Sequence, residues 1–353
     1  MAKVTIIVPV YNVGKLLYNA INSIKAQTFT DYSVILVNDG STDNSGIICD
    51  EYAAEDDRVI VIHKKNQGAG AARNDALDIA KSEYVYFMDS DDILEPNLLE
   101  ENIRLADEHE ADFVMFGHIR EFMNKNGQIY KTEICMPVFE GVMDYETIKN
   151  NFADFHMSYQ FAVWMRIYRL KTIKKSGARF TNQRLGEDAV FNLGFFSTPF
   201  KCAVFNHKTY YHYIVHDNSI ITAYNPQKYD DEMSIALWAD KLFKNWGYNE
   251  AYERIENCLY VSPIIVEIIN LSLKKGFINV FFNARAVKKR IKDEKVWASL
   301  AKLCGDEFPF NDYNKIVRFL KKRRYRSVFM YLEIKRIMRN AKYLLKRILR
   351  RKA

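Results

Sequence analysis

Residues 3–117 alternate between short apolar runs and segments with helical spacing, and this alternation restricts the possible folds more than any other feature of the chain. Five runs have strand character, at residues 4–10, 33–37, 58–62, 84–88 and 112–116. Helical patterns lie between them, near 14–26, 44–54, 69–80 and 96–109. The strands are continuously apolar, which is typical of a parallel sheet covered by helices on both faces. The pattern predicts a doubly wound α/β fold with a mostly parallel central sheet.

After residue 117 the pattern changes. Asn126-Gly127 suggests a hairpin turn between polar strands, and residues 226–310 have mainly helical patterns. No uninterrupted apolar run of about 18 residues occurs, so we expect no membrane-spanning segment. The N-terminal apolar run begins too early for a signal peptide, and the five cysteines are scattered without a CxxC pair. We therefore expect reduced thiols in an intracellular protein.

The charge of the chain is unevenly distributed. Residues 315–353 contain 16 basic residues and one acidic residue, whereas the whole chain has a net charge of only +7. From Ile334 onward the apolar and basic residues occupy opposite sides of a helical pattern. Such a basic amphipathic helix is typical of one lying on an anionic membrane. The alternative is a helix that packs its apolar stripe on the body. Nucleic acid binding is not expected, because the body is acidic.

Polar residues follow three of the predicted strands: Tyr11-Asn12, then Asn38 to Ser41, then Asp89 to Asp92. In an open α/β sheet, ligands bind beyond the carboxyl ends of the strands. The most informative of these segments is Asp89-Ser90-Asp91-Asp92. Two carboxylates one residue apart can hold a divalent cation, which then attracts a diphosphate. The alternative is a solvated acidic turn.

Two further segments predict a nucleotide site. Residues 9–12 and 37–43 are expected to form the two walls of a base pocket. There the Asp39 carboxylate can accept the N3–H of uracil, and Tyr11 can offer a flat apolar face to the base. The alternative for Asp39 is a turn residue before Gly40. Asp43 is interpreted as a helix N-cap.

The second segment is the glycine loop at 66–74, which contains Gly68 and Arg73. Its glycines permit close backbone approach, and an arginine stands where a dinucleotide fingerprint has its third glycine. The loop therefore favours a sugar nucleotide over NAD. The alternative is a loop that only packs its helix on the sheet.

The order and spacing of Val-Pro-Val-Tyr-Asn, Val-Asn-Asp-Gly-Ser-Thr-Asp, Asn-Gln-Gly-x-x-x-Ala-Arg-Asn and Met-Asp-Ser-Asp-Asp resemble family 2 glycosyltransferases with the GT-A fold. The resemblance covers residues 3–115 closely and continues loosely through Trp164, Glu187-Asp188 and 211–219. It implies an inverting transfer of a sugar from a nucleotide donor, with UDP as the expected nucleotide.

The resemblance also implies roles for individual residues. Asp39 would contact the nucleobase and Arg73 would lie near the nucleotide. Asp89 and Asp91 would hold the ribose and a Mg²⁺ or Mn²⁺ ion that bridges the diphosphate. Asp188 would be the base that deprotonates the acceptor hydroxyl. The alternative, without the resemblance, is that Glu187 and Asp188 are acids at a helix N-terminus, where the helix dipole favours them. The remaining predicted nucleotide contacts are Pro9, Tyr11, Gly68 and Ser90.

His216 stands at a position where many relatives have arginine. It is therefore expected to be either a third metal ligand or a hydrogen-bond donor to the diphosphate. His207 and His212 are weaker candidates, and Trp164 belongs either to the acceptor site or to the core.

Taken together, these patterns predict four segments. They are a nucleotide-sugar-binding half at 1–117, an acceptor-side half with the catalytic base at 118–224, a helical region at 225–314 and a basic tail at 315–353. The expected partners are a UDP-sugar, a glycan or lipid-linked acceptor and an anionic membrane surface, with the protein in the cytoplasm at the inner face of the cell membrane. The alternative is a catalytically silent homologue that serves as a binding or assembly subunit.

Overall fold

The computed structural model describes residues 1–124, 126–153, 161–183, 185–216, 224–247, 250–273, 277–303 and 311–350. The chain forms two compact units. The first contains residues 1–219 and 241–251, and the second contains residues 220–240 and 252–353. The division into four functional segments stays a prediction.

The N-terminal part of the first unit has the predicted alternation. Strands β1 (Val4–Val10), β2 (Tyr32–Asp39), β3 (Val59–Lys64) and β4 (Tyr84–Phe87) run parallel in the order β3-β2-β1-β4. All seven residues of β1 are buried, which explains why its sequence does not alternate. The four predicted helices are α1 (Leu16–Lys25), α2 (Ser45–Glu55), α3 (Ala69–Ile79) and α4 (Leu98–Glu108). The predicted α/β class is confirmed.

The sheet then becomes mixed. Strand β9 (Arg166–Arg169) lies antiparallel between β4 and β6 (Phe113–Met123), and β10 (Cys202–His216) runs parallel to β6. Strand β5 (Ile93–Leu94) pairs with β10 at the far edge. The hairpin predicted at Asn126-Gly127 joins β6 to β7 (Ile129–Cys135), and Gly127 has a φ of 76°. Strand β8 (Gly141–Asp144) also pairs with β10.

The described residues of this unit also form the helices α5 (Tyr145–Asn150), α6 (Leu170–Ser176) and α7 (Glu187–Phe196), and a short 3-10 helix at Val163–Met165. Aromatic packing holds α7 in place. Phe191 stacks on Phe180 with ring centroids 4.4 Å apart, and Phe195 packs edge-on against Phe113 of β6 at 5.8 Å. Buried aromatic pairs of this kind add about 0.5–1.5 kcal/mol each beyond their area. This packing fixes the N-terminus of α7 beside the sheet.

The second part of the chain is helical where it is described, as the sequence predicts. Its helices are α8 (Lys228–Asn245), α9 (Glu250–Ser272), α10 (Phe277–Arg290), α11 (Glu294–Lys302), α12 (Asn311–Lys321) and α13 (Tyr325–Arg350). One stretch of α9, Ile255–Ser272, has the length and apolar content to cross a membrane, yet 67% of it is buried in the structure. Helices in the core of a soluble protein can have the same length and apolar content. This stretch is therefore weak evidence for a membrane span.

Candidate active site

Three segments that are distant in sequence meet at the carboxyl edge of the sheet. Asp89 lies two residues after β4, and Arg73 lies in the second turn of α3. Glu187 and Asp188 begin α7. Arg73 joins them. Its Nη2 donates to Asp89 at 2.7 Å, and its Nη1 donates to Glu187 at 3.0 Å and to Asp188 at 3.2 Å. The guanidinium group therefore connects the acidic motif after β4 with the acidic pair on α7.

The charges in this cluster alter one another's protonation. The Arg73 side chain is 4% exposed, whereas 21% of the Asp188 side chain and 29% of the Asp89 side chain reach solvent. Burial raises the pKa of Asp188 to about 7, because desolvation outweighs the attraction of Arg73, and the negative charges of Glu187 and Asp89 raise it further. The three carboxylates hold the pKa of Arg73 above its ordinary value although burial opposes them.

A carboxyl group with a pKa near 7 can exchange protons at physiological pH. The second oxygen of Asp188 accepts the backbone N–H of Val163 at 3.2 Å, which fixes the orientation of the carboxylate. The resemblance alone pointed to Asp188 as the base, and the structure adds a physical reason for its protonation behaviour. Glu187 had no separate role in the sequence interpretation, and only its proximity to Arg73 identifies it as part of the site.

Asp39 holds the glycine loop. It is 2% exposed, and its two carboxylate oxygens accept the backbone N–H groups of Gln67 at 2.9 Å and Gly68 at 2.8 Å. Gly68 has a φ of 94°, a backbone conformation in which a residue with a side chain would be strained. It occupies the N-cap position of α3. Asp39 thus supports the glycine loop, a contact that the sequence did not predict, and its contact with a nucleobase stays a prediction.

Asp92 ties the acidic motif to β10. It is 1% exposed, its Oδ2 accepts the hydroxyl of Tyr211 at 2.6 Å, and its Oδ1 accepts the N–H of Ile214 at 2.8 Å. Tyr211 stacks on Trp164 with centroids 4.5 Å apart. Burial, together with the charges of Asp91 and Asp89, raises the pKa of Asp92 well above its ordinary value. Because Trp164 is 8% exposed, the structure favours the core interpretation for it.

The remaining predicted contacts are less closely grouped. Pro9 is buried within β1, opposite Val37 of β2, whereas Tyr11 follows β1 and is half-exposed. Ser90 is buried between Asp89 and Asp91. Asp43 is not the N-cap residue of α2, because Asn44 holds that position, but its carboxylate accepts the Ser45 N–H at 3.0 Å.

The three candidate histidines differ in what the structure shows of their side chains. His207 contacts the carbonyl oxygens of Pro137 and Phe139 at 2.9 and 2.8 Å, and His212 contacts Glu95 and Glu121, each at 2.9 Å. These partners give both residues structural roles. His216 ends β10, and its side chain lies outside the described residues, so its assignment to the metal or the diphosphate stays a prediction.

The acidic motif offers oxygen ligands to a cation. Asp89 and Asp91 are partly exposed at the end of β4, and carboxylate oxygens suit Mg²⁺ and Mn²⁺. Among the residues that the structure describes, no three His, Cys, Asp or Glu side chains form a group able to hold a metal. Two carboxylates still fit a hard cation that takes its other ligands from water and substrate phosphates, as Mg²⁺ usually does.

Residues 5–175 match the family model described as glycosyl transferase family 2. This part of the chain belongs to that family. The glycosyltransferase GlyA of Streptococcus pneumoniae serotype 4 is 34% identical over 221 residues, which cover 62% of this chain and 31% of GlyA. The glycosyltransferase GlyG of the same organism is 41% identical over 128 residues, which cover 36% of this chain and 42% of GlyG. The family 2 chain thus spans less than half the length of either relative.

A crystal structure of S. aureus TarS residues 1–349 in complex with UDP-GlcNAc has the same fold, with a TM-score of 0.62 at 20% identity. The similarity covers 95% of this chain and 92% of the TarS chain. The GT-A architecture that the motifs implied is therefore confirmed for this family 2 chain.

Proposed function

We propose that this family 2 protein transfers a sugar, with inversion, from a UDP-sugar to a glycan or lipid-linked acceptor in the synthesis of a bacterial surface polysaccharide. The observation that carries the proposal is the contact of one buried guanidinium group with Asp89 on the donor side and Asp188 on the acceptor side. Family membership supports the reaction class, and the UDP-GlcNAc complex of TarS supports uridine as the nucleotide.

In the proposed reaction, Asp188 accepts the proton of the acceptor hydroxyl as that oxygen attacks the anomeric carbon of the sugar. The bond from this carbon to the diphosphate breaks, and the bonding electrons leave with UDP. The N–H of Val163 and the guanidinium of Arg73 orient Asp188 for this step. Asp39 holds the glycine loop so that the N-terminus of α3 is available to the nucleotide.

A divalent cation would be held by Asp89 and Asp91, and it would supply charge stabilisation to the leaving diphosphate. Arg73 already contacts Asp89, so it fixes the direction in which this carboxylate points.

Nucleotide and metal binding can be measured by thermal unfolding. We expect UDP to raise the melting temperature only when Mn²⁺ or Mg²⁺ is present, because the cation joins the diphosphate to two carboxylates. A ligand at about 100 times its Kd stabilises the folded state by about 2.7 kcal/mol. Asp91→Ala should abolish the shift, and GDP and CDP should give smaller shifts.

The matched control is Asp78→Ala, an exposed aspartate on α3 whose removal leaves the acidic motif intact. An equal UDP shift without metal would contradict the metal-dependent site. The absence of any nucleotide shift would favour the silent homologue.

We also propose that α13 attaches the protein to the inner face of the cell membrane. At the start of this helix Val328 and Phe329 are buried, whereas Ile337 and Met338 are 46% and 67% exposed. The N-terminal part of the helix therefore packs on its own unit. Further along the helix, the described apolar residues Ile337 and Met338 are exposed. A truncation that tests attachment should therefore begin after this packed portion.

Deletion of residues 339–353 removes seven basic residues after the packed part of the helix. We expect binding to vesicles that contain phosphatidylglycerol to weaken by at least about 100-fold, because each basic residue near an anionic surface contributes about 1 kcal/mol. Co-sedimentation measures the change. Unchanged sedimentation of the shortened protein would contradict attachment through this helix.

A further inference from the structure

The second unit contains a groove that lies outside the predicted nucleotide site. It has a volume of about 790 Å³ and lies between α10 and the beginning of α13. Among the described residues, its lining includes five cationic side chains and no acidic one. The five are Arg285, Lys288, Arg323, Arg324 and Arg326.

Within the described part of the chain, no carboxylate neutralises these charges. In the part of the chain that the structure describes, none of the five forms an ion pair with a carboxylate. Elsewhere in this unit such pairs do occur, for example between Arg290 and Asp230 at 3.0 Å. Five like charges around one concave surface repel one another, and a bound anion relieves this repulsion.

The backbone adds to the attraction for an anion. Residues 325–327 line the groove and form the first turn of α13, a helix of 26 residues. Its first N–H groups have no partners within the helix and lie at the positive end of the helix dipole. Arg323, two residues before this helix, has a φ of 54°, a left-handed conformation that is uncommon for an arginine.

Aromatic side chains distinguish this groove from a simple basic patch. Phe281 and Phe282 line it and are 57% and 66% exposed. The guanidinium carbon of Arg326 lies 4.8 Å from the centre of the Phe281 ring. Large exposed apolar side chains beside basic residues are typical of surfaces that enter the interface of an anionic bilayer.

We propose that this groove binds the phosphate headgroup of an anionic phospholipid, with Phe281 and Phe282 inserted among the headgroups. The exposed apolar residues Met330 and Ile334 continue along α13 and favour a lipid over RNA, whose phosphates offer no apolar layer. The inference rests on the proposed membrane attachment, and it adds a defined headgroup site that includes α10.

The test uses the full-length protein with vesicles of phosphatidylcholine, with and without phosphatidylglycerol. Arg285→Gln/Lys288→Gln should weaken binding to the anionic vesicles about 30-fold, as expected for two basic residues at the surface. The matched control is Lys289→Gln/Lys292→Gln, which removes the same charge from exposed positions at the end of α10 and just after it. It should weaken binding by less than about threefold.

Phe281→Ser/Phe282→Ser should weaken binding to both kinds of vesicle. If Arg285→Gln/Lys288→Gln and the control Lys289→Gln/Lys292→Gln lose the same vesicle affinity, the proposal is overturned, because diffuse charge would then explain the binding. The proposal is also overturned if Arg285→Gln/Lys288→Gln weakens binding of a single-stranded oligonucleotide but leaves binding to vesicles unchanged. If deletion of residues 339–353 detaches the protein from anionic vesicles while Arg285→Gln/Lys288→Gln binds them normally, the groove proposal fails and attachment through α13 stands.

Discussion

Replacing Asp188 by asparagine should lower kcat by about 10²–10⁴-fold while UDP binding is retained. An amide cannot accept the proton of the acceptor hydroxyl, yet it has nearly the shape of the carboxylate. One amide oxygen can still accept from Arg73, and Glu187 and Asp89 continue to neutralise that cation. The measurements are single-turnover transfer and the UDP thermal shift in the presence of Mn²⁺.

The control for this prediction is Glu187→Gln, which removes the charge of one of the three carboxylates that contact the same guanidinium group. It should reduce turnover less than Asp188→Asn does, since Glu187 is not the proposed base. A larger loss in Glu187→Gln would reassign the base to Glu187. Comparable UDP binding in both variants would show that the nucleotide site is intact.

The pH dependence of the wild-type protein provides a second check on Asp188. A base must be ionised, so kcat/KM should rise as pH increases through the pKa of this group, which burial raises to about 7. A cation bound nearby would move the midpoint downward, because it favours the ionised form. This rise should be absent from the residual activity of Asp188→Asn.

Replacing Arg73 by methionine should have the largest effect on stability. The substitution keeps an unbranched side chain but leaves three partly buried carboxylates without their shared cation. Removing one partner from a buried ion pair costs about 3–5 kcal/mol of the free energy of unfolding. Urea unfolding at neutral pH measures this loss.

Arg73→Lys should recover only part of the stability. An ammonium group carries the same charge but cannot present two nitrogens in a fixed plane to Asp89 and Asp188. The control is Arg104→Met on α4, where the arginine is exposed and pairs with Glu108. Its loss should be below about 1 kcal/mol. A similarly small loss in Arg73→Met would contradict the structural role of the cluster.

The N-terminal sheet and the position of its polar edge can be predicted from the sequence. Continuous apolar runs can be recognised locally, because strand period and burial are properties of neighbouring residues. For this reason the sequence predicts both ends of β1 correctly. It also places the glycine loop correctly before α3 and the acidic motif correctly after β4. The motifs also carried enough information to identify the family.

The contacts between the charged residues of the site cannot be predicted from the sequence. Arg73 and Glu187 are 114 positions apart, and no spacing rule connects them. Their contact depends on the packing of α7, which Phe180 and Phe191 fix by stacking. The same holds for Asp92, which contacts Tyr211 across 119 positions. Local sequence patterns set each element, but the pairing of buried charges depends on how distant elements pack, because only packing determines which groups leave water together.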